Sequence, residues 1–367
     1  MIIRGTTAPG IEDVARDEGV RLLADSGFSA RPIGCDNDSG FDLPGVVAWT
    51  LDPVVTVREI RDAAPLAAAR SLFHVAVHVA EIEWDGASLE SLLGGIRTID
   101  LTEMPDAGSF RVSCTRLGDH GFRSPEVERE TGAILQERYG TAVDLEGYAL
   151  HVKIDIAGSR AFCGYQLTGR KGLDRRYRWI YHPRVTLRTP IAYAMLVIAG
   201  YDRSPGALHD PFCGSGTILL EAAAIASGHG AGDLELSGSD RDPMAVDGAI
   251  GNLRAAGVAG VAVTQLDARE LGLSIAGASL DFIVTNPPFG IRMAKGQSLY
   301  GLYRDFLAAA VRVLRPGGVL ALLVGRRRGE FNRVLRGVPD LALQHVRIIE
   351  MGGVFAALFV LRKVVRP

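Results

Sequence analysis

Lysine is nearly missing from this chain, with four residues against 36 arginines in a total of 367. Together with its Ala-Gly stretches, the skew fits a GC-rich coding bias, so arginine in place of lysine carries no functional meaning by itself. Cysteine is sparse too. Cys35, Cys114, Cys163 and Cys213 have neither metal-ligand spacing nor the density of a disulfide scaffold, so no metal is expected and reduced thiols in a cytoplasm are the simplest account. No run of about 18 apolar residues occurs and no cleavable signal pattern is visible, so neither a membrane span nor a membrane partner is expected. Internal repeats and long low-complexity tracts are also missing. What remains is an ordinary globular composition, 47% apolar, on a chain long enough for two or three domains.

The most informative feature present is Asn286-Pro287-Pro288-Phe289, at the end of the apolar run LDFIVT. The run has the length and composition of a buried strand, and the prolines stop it. The turn is poor in donors and rich in acceptors: the Asn286 amide oxygen and the Pro287 carbonyl, with no proline N–H nearby. Such a pocket suits a planar amine held by its hydrogens while its lone pair attacks, and Phe289 offers a flat face for a nucleobase. The plain alternative is a Pro-Pro turn closing a strand.

Upstream, ALHDPFCGSGTILLEAA (207–223) reads as strand, glycine turn and helix, with Asp210 ending the strand. Glycines there let backbone approach a ligand closely. A dinucleotide fingerprint requires a third glycine where Leu219 stands, so a nicotinamide enzyme is disfavoured. The pattern fits a ligand carrying both carboxylate and ammonium. A second strand ends at Asp240, at the distance where open α/β sheets place a ribose-binding acid, and a third ends at Asp267. Helix N-caps are the structural alternative for both acids.

The net charge of −2 conceals an asymmetry. Residues 1–169 carry 15 basic and 26 acidic side chains, residues 170–188 seven and one, and the remainder 18 and 15. The segment 170–188 is thus the candidate basic footprint for a nucleic acid, with Arg175 and Arg176 as contacts and Tyr177, Trp179 and Tyr181 for stacking. Its alternative is a linker whose aromatics dock on the core. In the first half, 124–140 reads as a helix capped by Ser124 with Pro125 at its start, and 148–168 as two strands joined at Ala157-Gly158-Ser159.

DPFCGSGT, SD, LDA and NPPFG in that order resemble the class I S-adenosylmethionine-dependent methyltransferases that act on amines, the guanine-N2 branch in particular. The resemblance implies a Rossmann-like, seven-stranded, doubly wound domain over 189–367. By it, Asp210, Phe212, Gly214 and Gly216 surround the methionine part of the cofactor, Asp240 binds the ribose, and Asp267 with Ala268 meets the adenine. LRTPIAYAML (187–196) matches the segment before the first strand and puts Thr189 near the cofactor. Asn286, Pro287 and Phe289 become the catalytic residues, with Asn286 also beside the cofactor, and Arg292 and Lys295 grip the substrate with Phe289.

The FRVSC…R.G.H.F.S.E pattern from 110, followed by helix and alternating strands, resembles the THUMP domain of RNA-modifying enzymes over 66–169. An α+β, ferredoxin-like companion segment is expected at 1–65 and a basic linker at 170–188. THUMP joined to an NPPF methyltransferase is similar to enzymes that methylate the guanine amine of tRNA, notably guanine 6 of the acceptor stem. The expectation is a monomeric cytoplasmic enzyme using S-adenosyl-L-methionine on tRNA. Ribosomal RNA, adenine N6, and a non-catalytic cofactor-binding RNA protein remain as alternatives.

Overall fold

The computed structural model describes residues 1–33, 43–52, 55–184, 186–230, 235–289 and 298–365. They divide into two compact units, Met1–Thr7 with Ala15–Leu173, and Ala8–Val14 with Asp174–Pro367.

The first unit is built on β1 (Ile2–Thr6), β2 (Ser29–Pro32), β3 (Val46–Asp52), β4 (His74–Ile82), β5 (Ser109–Leu117), β6 (Ala142–Val143), β7 (Leu150–Ala157) and β8 (Arg160–Gln166). These form one sheet in the order β2-β3-β1-β4-β8-β7-β5-β6. β1 pairs antiparallel with both β3 and β4, so the sheet runs unbroken across residues 65 and 66. Most of α1 (Glu12–Asp25) lies in this unit, with α2 (Val57–Ala63), α3 (Leu89–Thr98) and α4 (Ser124–Tyr139). β5 runs parallel to β7, and α4 lies in the crossover that such pairing needs. The helix opens one residue earlier than expected: Arg123 occupies the cap position without a side-chain bond, and Gly140, at φ 71°, ends it. Its core includes Trp49, Phe110, Val152, Ile154 and Tyr165, all buried.

The second unit carries β9 (Leu208–Asp210), β10 (Leu236–Asp240), β11 (Ala262–Gln265), β12 (Leu280–Thr285), β13 (Leu314–Val324), β14 (Leu341–Glu350) and β15 (Phe355–Lys363). Its helices are α5 (Thr189–Ala199), α6 (Thr217–Gly228), α7 (Pro243–Ala255), α8 (Leu299–Val313) and α9 (Arg328–Leu335). The strand order is β11-β10-β9-β12-β13-β15-β14. β9 to β13 are parallel, and β15 alone runs against its neighbours β13 and β14. Strand order reverses between β9 and β12, and ligands of open α/β sheets bind outside the carboxyl ends at such a point.

The turn-forming run Arg315-Pro316-Gly317-Gly318, directly after α8, sits inside β13. Pairing jumps from Leu280–Leu314 to Phe282–Val319, a bulge that Gly317 makes possible at φ 81°. On β14, the Glu350 N–H donates to the Pro9 carbonyl at 2.9 Å, and the Arg347 guanidinium grips the Asp13 carboxylate at 2.8 Å. Gly10, at φ 99°, is obligatory there, because a Cβ would stand 2.1 Å from the Ile348 carbonyl oxygen. No helix among the described residues is long and apolar enough to cross a membrane, and none of their acidic, histidine or cysteine side chains cluster to hold a metal.

Candidate active site

The site is built from strand ends. β9 delivers Asp210 into full burial, where its carboxylate accepts from the Thr285 hydroxyl at 2.6 Å and the Phe212 N–H at 3.2 Å. Burial pushes the Asp210 carboxyl up to about 7, and Asp240 adds to that, against the opposing pull of both hydrogen bonds. A carboxylate kept this dry is primed for a cationic partner.

The turn after it takes positive φ at Gly214 (51°) and Gly216 (79°), and Gly216 is the cap of α6. The Gly214 N–H donates to Asp240 Oδ2 at 3.0 Å, and Asp240 Oδ1 accepts from the Asp242 N–H at 3.0 Å. The turn and the acid at the end of β10 are therefore one construction. Asp242, not Asp240, caps α7. Leu219 stands where a dinucleotide fold has glycine, and the close approach of helix to sheet is met from the other side. A Cβ on Gly238 of β10 would lie 2.6 Å from Leu219 Cδ1. Beneath the turn, His209 bridges the hydroxyls of Ser237 (2.8 Å) and Ser239 (3.0 Å), and burial lowers it to about 4.

Asp267 does cap a helix, the short 3-10 turn Ala268–Leu273, by accepting from the Arg269 N–H at 2.9 Å. The Arg269 guanidinium also pairs with it at 2.7 Å and holds its carboxyl below the usual range. Ala268 is buried beside it.

β12 ends in Asn286, whose Oδ1 is buried without a hydrogen-bond partner among the described residues. Such an acceptor is rare in a folded protein and suits a ligand donor. Pro287 is buried, Pro288 exposed and Phe289 half-buried. Phe289 rests on Gly325, at the end of β13, where a Cβ would meet its ring at 2.6 Å. Arg292 and Lys295 lie outside the described residues. Of the tyrosines that follow, Tyr303 is buried against Phe331 (5.2 Å) and Tyr300 is exposed.

Thr189 is buried at the start of α5, where its hydroxyl donates to the Asp174 carbonyl at 2.8 Å and accepts from Arg176 at 3.4 Å. Arg176 also stands 3.8 Å from the fully buried Glu221 of α6, so its guanidinium is turned inward; Arg175 is exposed. The neighbouring aromatics take the docking alternative. Tyr177 donates to the Leu220 carbonyl at 3.3 Å, and Tyr181 fills the space over Gly248, where a Cβ would lie 2.3 Å from its ring. Trp179 packs edge-on between Tyr177 (6.0 Å) and His182 (5.5 Å). Asn252 ties this strap to the glycine turn: its Oδ1 accepts from the N–H groups of Ile180 and Tyr181, and its Nδ2 donates to the carbonyls of Tyr181 and Ser215. Thr285, Asn252 and Gly325 are the residues that sequence reading missed. Only proximity in the fold reveals them.

Strand order, glycine turn, acids at successive strand ends and an orphaned amide oxygen define a class I methyltransferase. Comparison with known proteins agrees. Residues 175–356 match the family described as RMKL-like, methyltransferase domain, and residues 86–163 match the THUMP domain. A tRNA (guanine(6)-N2)-methyltransferase of Thermus thermophilus is 37% identical over 99% of this chain and 100% of that protein. One from Archaeoglobus fulgidus is 26% identical over 98% of this chain and 92% of its own length. The crystal structure of TrmN from Thermus thermophilus superposes with a TM-score of 0.75 at 33% identity, covering 99% of both chains. A methyltransferase complexed with SAH shares the fold at 18% identity (TM-score 0.71, 100% of this chain and 98% of that one). The chain belongs to the family of THUMP-containing RNA guanine-N2 methyltransferases.

Proposed function

We propose that the protein methylates the exocyclic N2 amine of a guanine in tRNA, guanine 6 of the acceptor stem, with S-adenosyl-L-methionine as donor. The observation that carries the reading is the unpartnered Asn286 Oδ1, on the strand beside the one that ends in Asp210. Full-length similarity to a tRNA (guanine(6)-N2)-methyltransferase supports the substrate. The SAH held by a protein of the same fold supports the cofactor. We further assign the protein to the cytoplasm as a monomer, with 1–65 and 66–169 as ferredoxin-like and THUMP modules and 170–188 as linker.

In this reading Asp210 faces the cofactor's ammonium, Gly214 and Gly216 let backbone approach its methionine part, and Phe212 covers it. Asp240 takes the ribose hydroxyls, and Asp267 with Ala268 the adenine edge, while Thr189 and Asn286 close the sides. When bound, the cofactor supplies a sulfonium-activated methyl, so the protein's task is alignment. A guanine amine is a weak nucleophile because its lone pair is delocalised. Asn286 Oδ1 and the Pro287 carbonyl accept its two hydrogens, favour rehybridisation and stabilise the positive charge that develops on nitrogen. Phe289 stacks on the base and offsets the few kcal/mol that leaving a stem costs. Arg175, Arg292 and Lys295 complete the substrate contacts, while Arg176, turned inward, steadies Thr189 instead of meeting the RNA. The leaving proton passes to Asn286, backbone or water.

The test is incubation with labelled S-adenosylmethionine and unmodified tRNA or ribosomal RNA, followed by digestion to nucleosides and mass spectrometry. N2-methylguanosine from tRNA is the expected product. Label only in ribosomal RNA, or as N6-methyladenosine, overturns the substrate, and no label overturns catalysis.

A further inference from the structure

We infer that Arg326 and Arg328, extended by Arg333 of α9, form a phosphate-gripping surface that holds the RNA backbone beside the target nucleotide. The inference rests on the function proposed above and adds residues that it does not use. Its basis is where the arginines leave the sheet. β12 and β13 are parallel neighbours with Thr285 opposite Leu322. Four residues beyond Thr285 comes Phe289, and three beyond Leu322 comes Gly325. The two exits meet, because the Phe289 ring occupies the space a Cβ on Gly325 would take, 2.6 Å from Cγ. The Cα of Arg326 is therefore only about 3.8 Å past the residue on which the proposed stacking face rests. The phosphates flanking one extruded nucleotide are its immediate neighbours along the backbone, so they lie within reach of an arginine this close to the stacking face.

Charge and packing point the same way. Residues 325–337 hold Arg326, Arg327, Arg328, Arg333 and Arg336 against a single acid, Glu330. Arg327 pairs with Glu330 at 2.8 Å. Among the described residues no carboxylate pairs with Arg326, Arg328 or Arg333. α9 is anchored by buried Phe331 and Val334, so the fold does not need these arginines for packing; Arg326 and Arg333 are exposed and Arg328 half-buried. Guanidinium forks match phosphate oxygens in pairs. An acidic protein partner would find the same charge, but it has no use for an orphaned amide oxygen and an aromatic face next door.

The test measures tRNA affinity directly by filter binding, over a range of salt, for wild type, R326Q/R328Q/R333Q, R326Q alone, and R312Q, which is charge-matched to R326Q. Arg312 is exposed in the last turn of α8, next to the start of β13 and so at the opposite end of the strands from the site. The triple variant is expected to bind tRNA at least tenfold more weakly, with a log–log salt slope shallower by about one per arginine lost. R312Q should match wild type, and S-adenosylmethionine affinity should be unchanged throughout. Unaltered tRNA affinity and slope in the triple variant overturn the inference. So does a loss in R312Q equal to that in R326Q, which would mean net charge alone acts. If the triple variant loses cofactor binding, R326Q/R333Q, confined to the two exposed positions, decides by the same criteria. Because binding is read without turnover, failure of wild type to methylate tRNA would count against the proposed reaction and not against this surface.

Discussion

The arginines of 175–188 and those of 326–336 look alike in sequence but are placed to different ends. In the first group Arg176 turns in towards Glu221 and Thr189, Arg188 pairs with Asp174 at 3.0 Å, and the intervening tyrosines are anchored on α6 and α7. In the second, exposed Arg326 follows directly on the glycine that seats Phe289. Local charge density does not separate a strap from a contact surface. What separates Arg176 from Arg326 is the buried Glu221 carboxylate beneath the first.

The largest effect expected concerns what the second group is supposed to flank. Asn286→Ala should reduce methyl transfer by about 10³-fold or more while leaving cofactor affinity within a few-fold. Calorimetry showing the cofactor lost as well would place Asn286 in the cofactor cradle alone and leave Arg326 beside no base. Next, Gly325→Val should push Phe289 off its seat and lower kcat by about 100-fold at unchanged cofactor affinity. Wild-type kcat would mean the two strand exits are independent.

The strap is tested by stability. Arg176→Ala should cost about 3 kcal/mol, because the buried Glu221 carboxylate loses a cation beside it, whereas exposed Arg178→Ala should leave the melting temperature unchanged. Equal melting temperatures for the two variants would erase the distinction between inward and outward arginines.

The smallest effect is in pH. Burial raises the Asp210 carboxyl to about 7, well above its ordinary value, so whatever stability it contributes is present at low pH and lost as pH rises through about 7. An ammonium bound beside it favours the ionised form. Cofactor affinity should therefore rise several-fold between pH 6 and 8 with release of a proton, and Asp210→Asn should flatten that profile. A flat wild-type profile would remove the ammonium from Asp210.

Much of this was legible beforehand because it rests on local rules. Prolines 287 and 288 end β12, glycines 214 and 216 take the positive φ of the turn, and strand ends deliver Asp210, Asp240 and Asn286. That β13 starts before the Gly317-Gly318 pair was not legible, since only the register with β12 shows the bulge. Asp267 proved to be a helix cap through a residue two positions on, as its alternative reading held, while Asp240 is bonded to Gly214, 26 residues away, which no spacing rule reveals. Tyr177 and Tyr181 carried two readings of equal standing, and their settled positions depend on Leu220, Gly248 and Asn252, all distant in sequence. Gly325 offered no signal at all, because its meaning lies in the ring above it.

The grip of Arg347 on Asp13 spans 334 residues of sequence. At a synthesis rate of about 5–20 residues per second, Asp13 is made roughly 20–70 s before its partner. Through that interval the segment that will cover β14, an edge strand with exposed Leu343, Val346 and Ile348, waits for its partner. The methyltransferase unit is thus closed by residues Ala8–Val14, made long before the strand they cover. A gene fragment encoding only its later residues would leave that edge open to pairing with other chains.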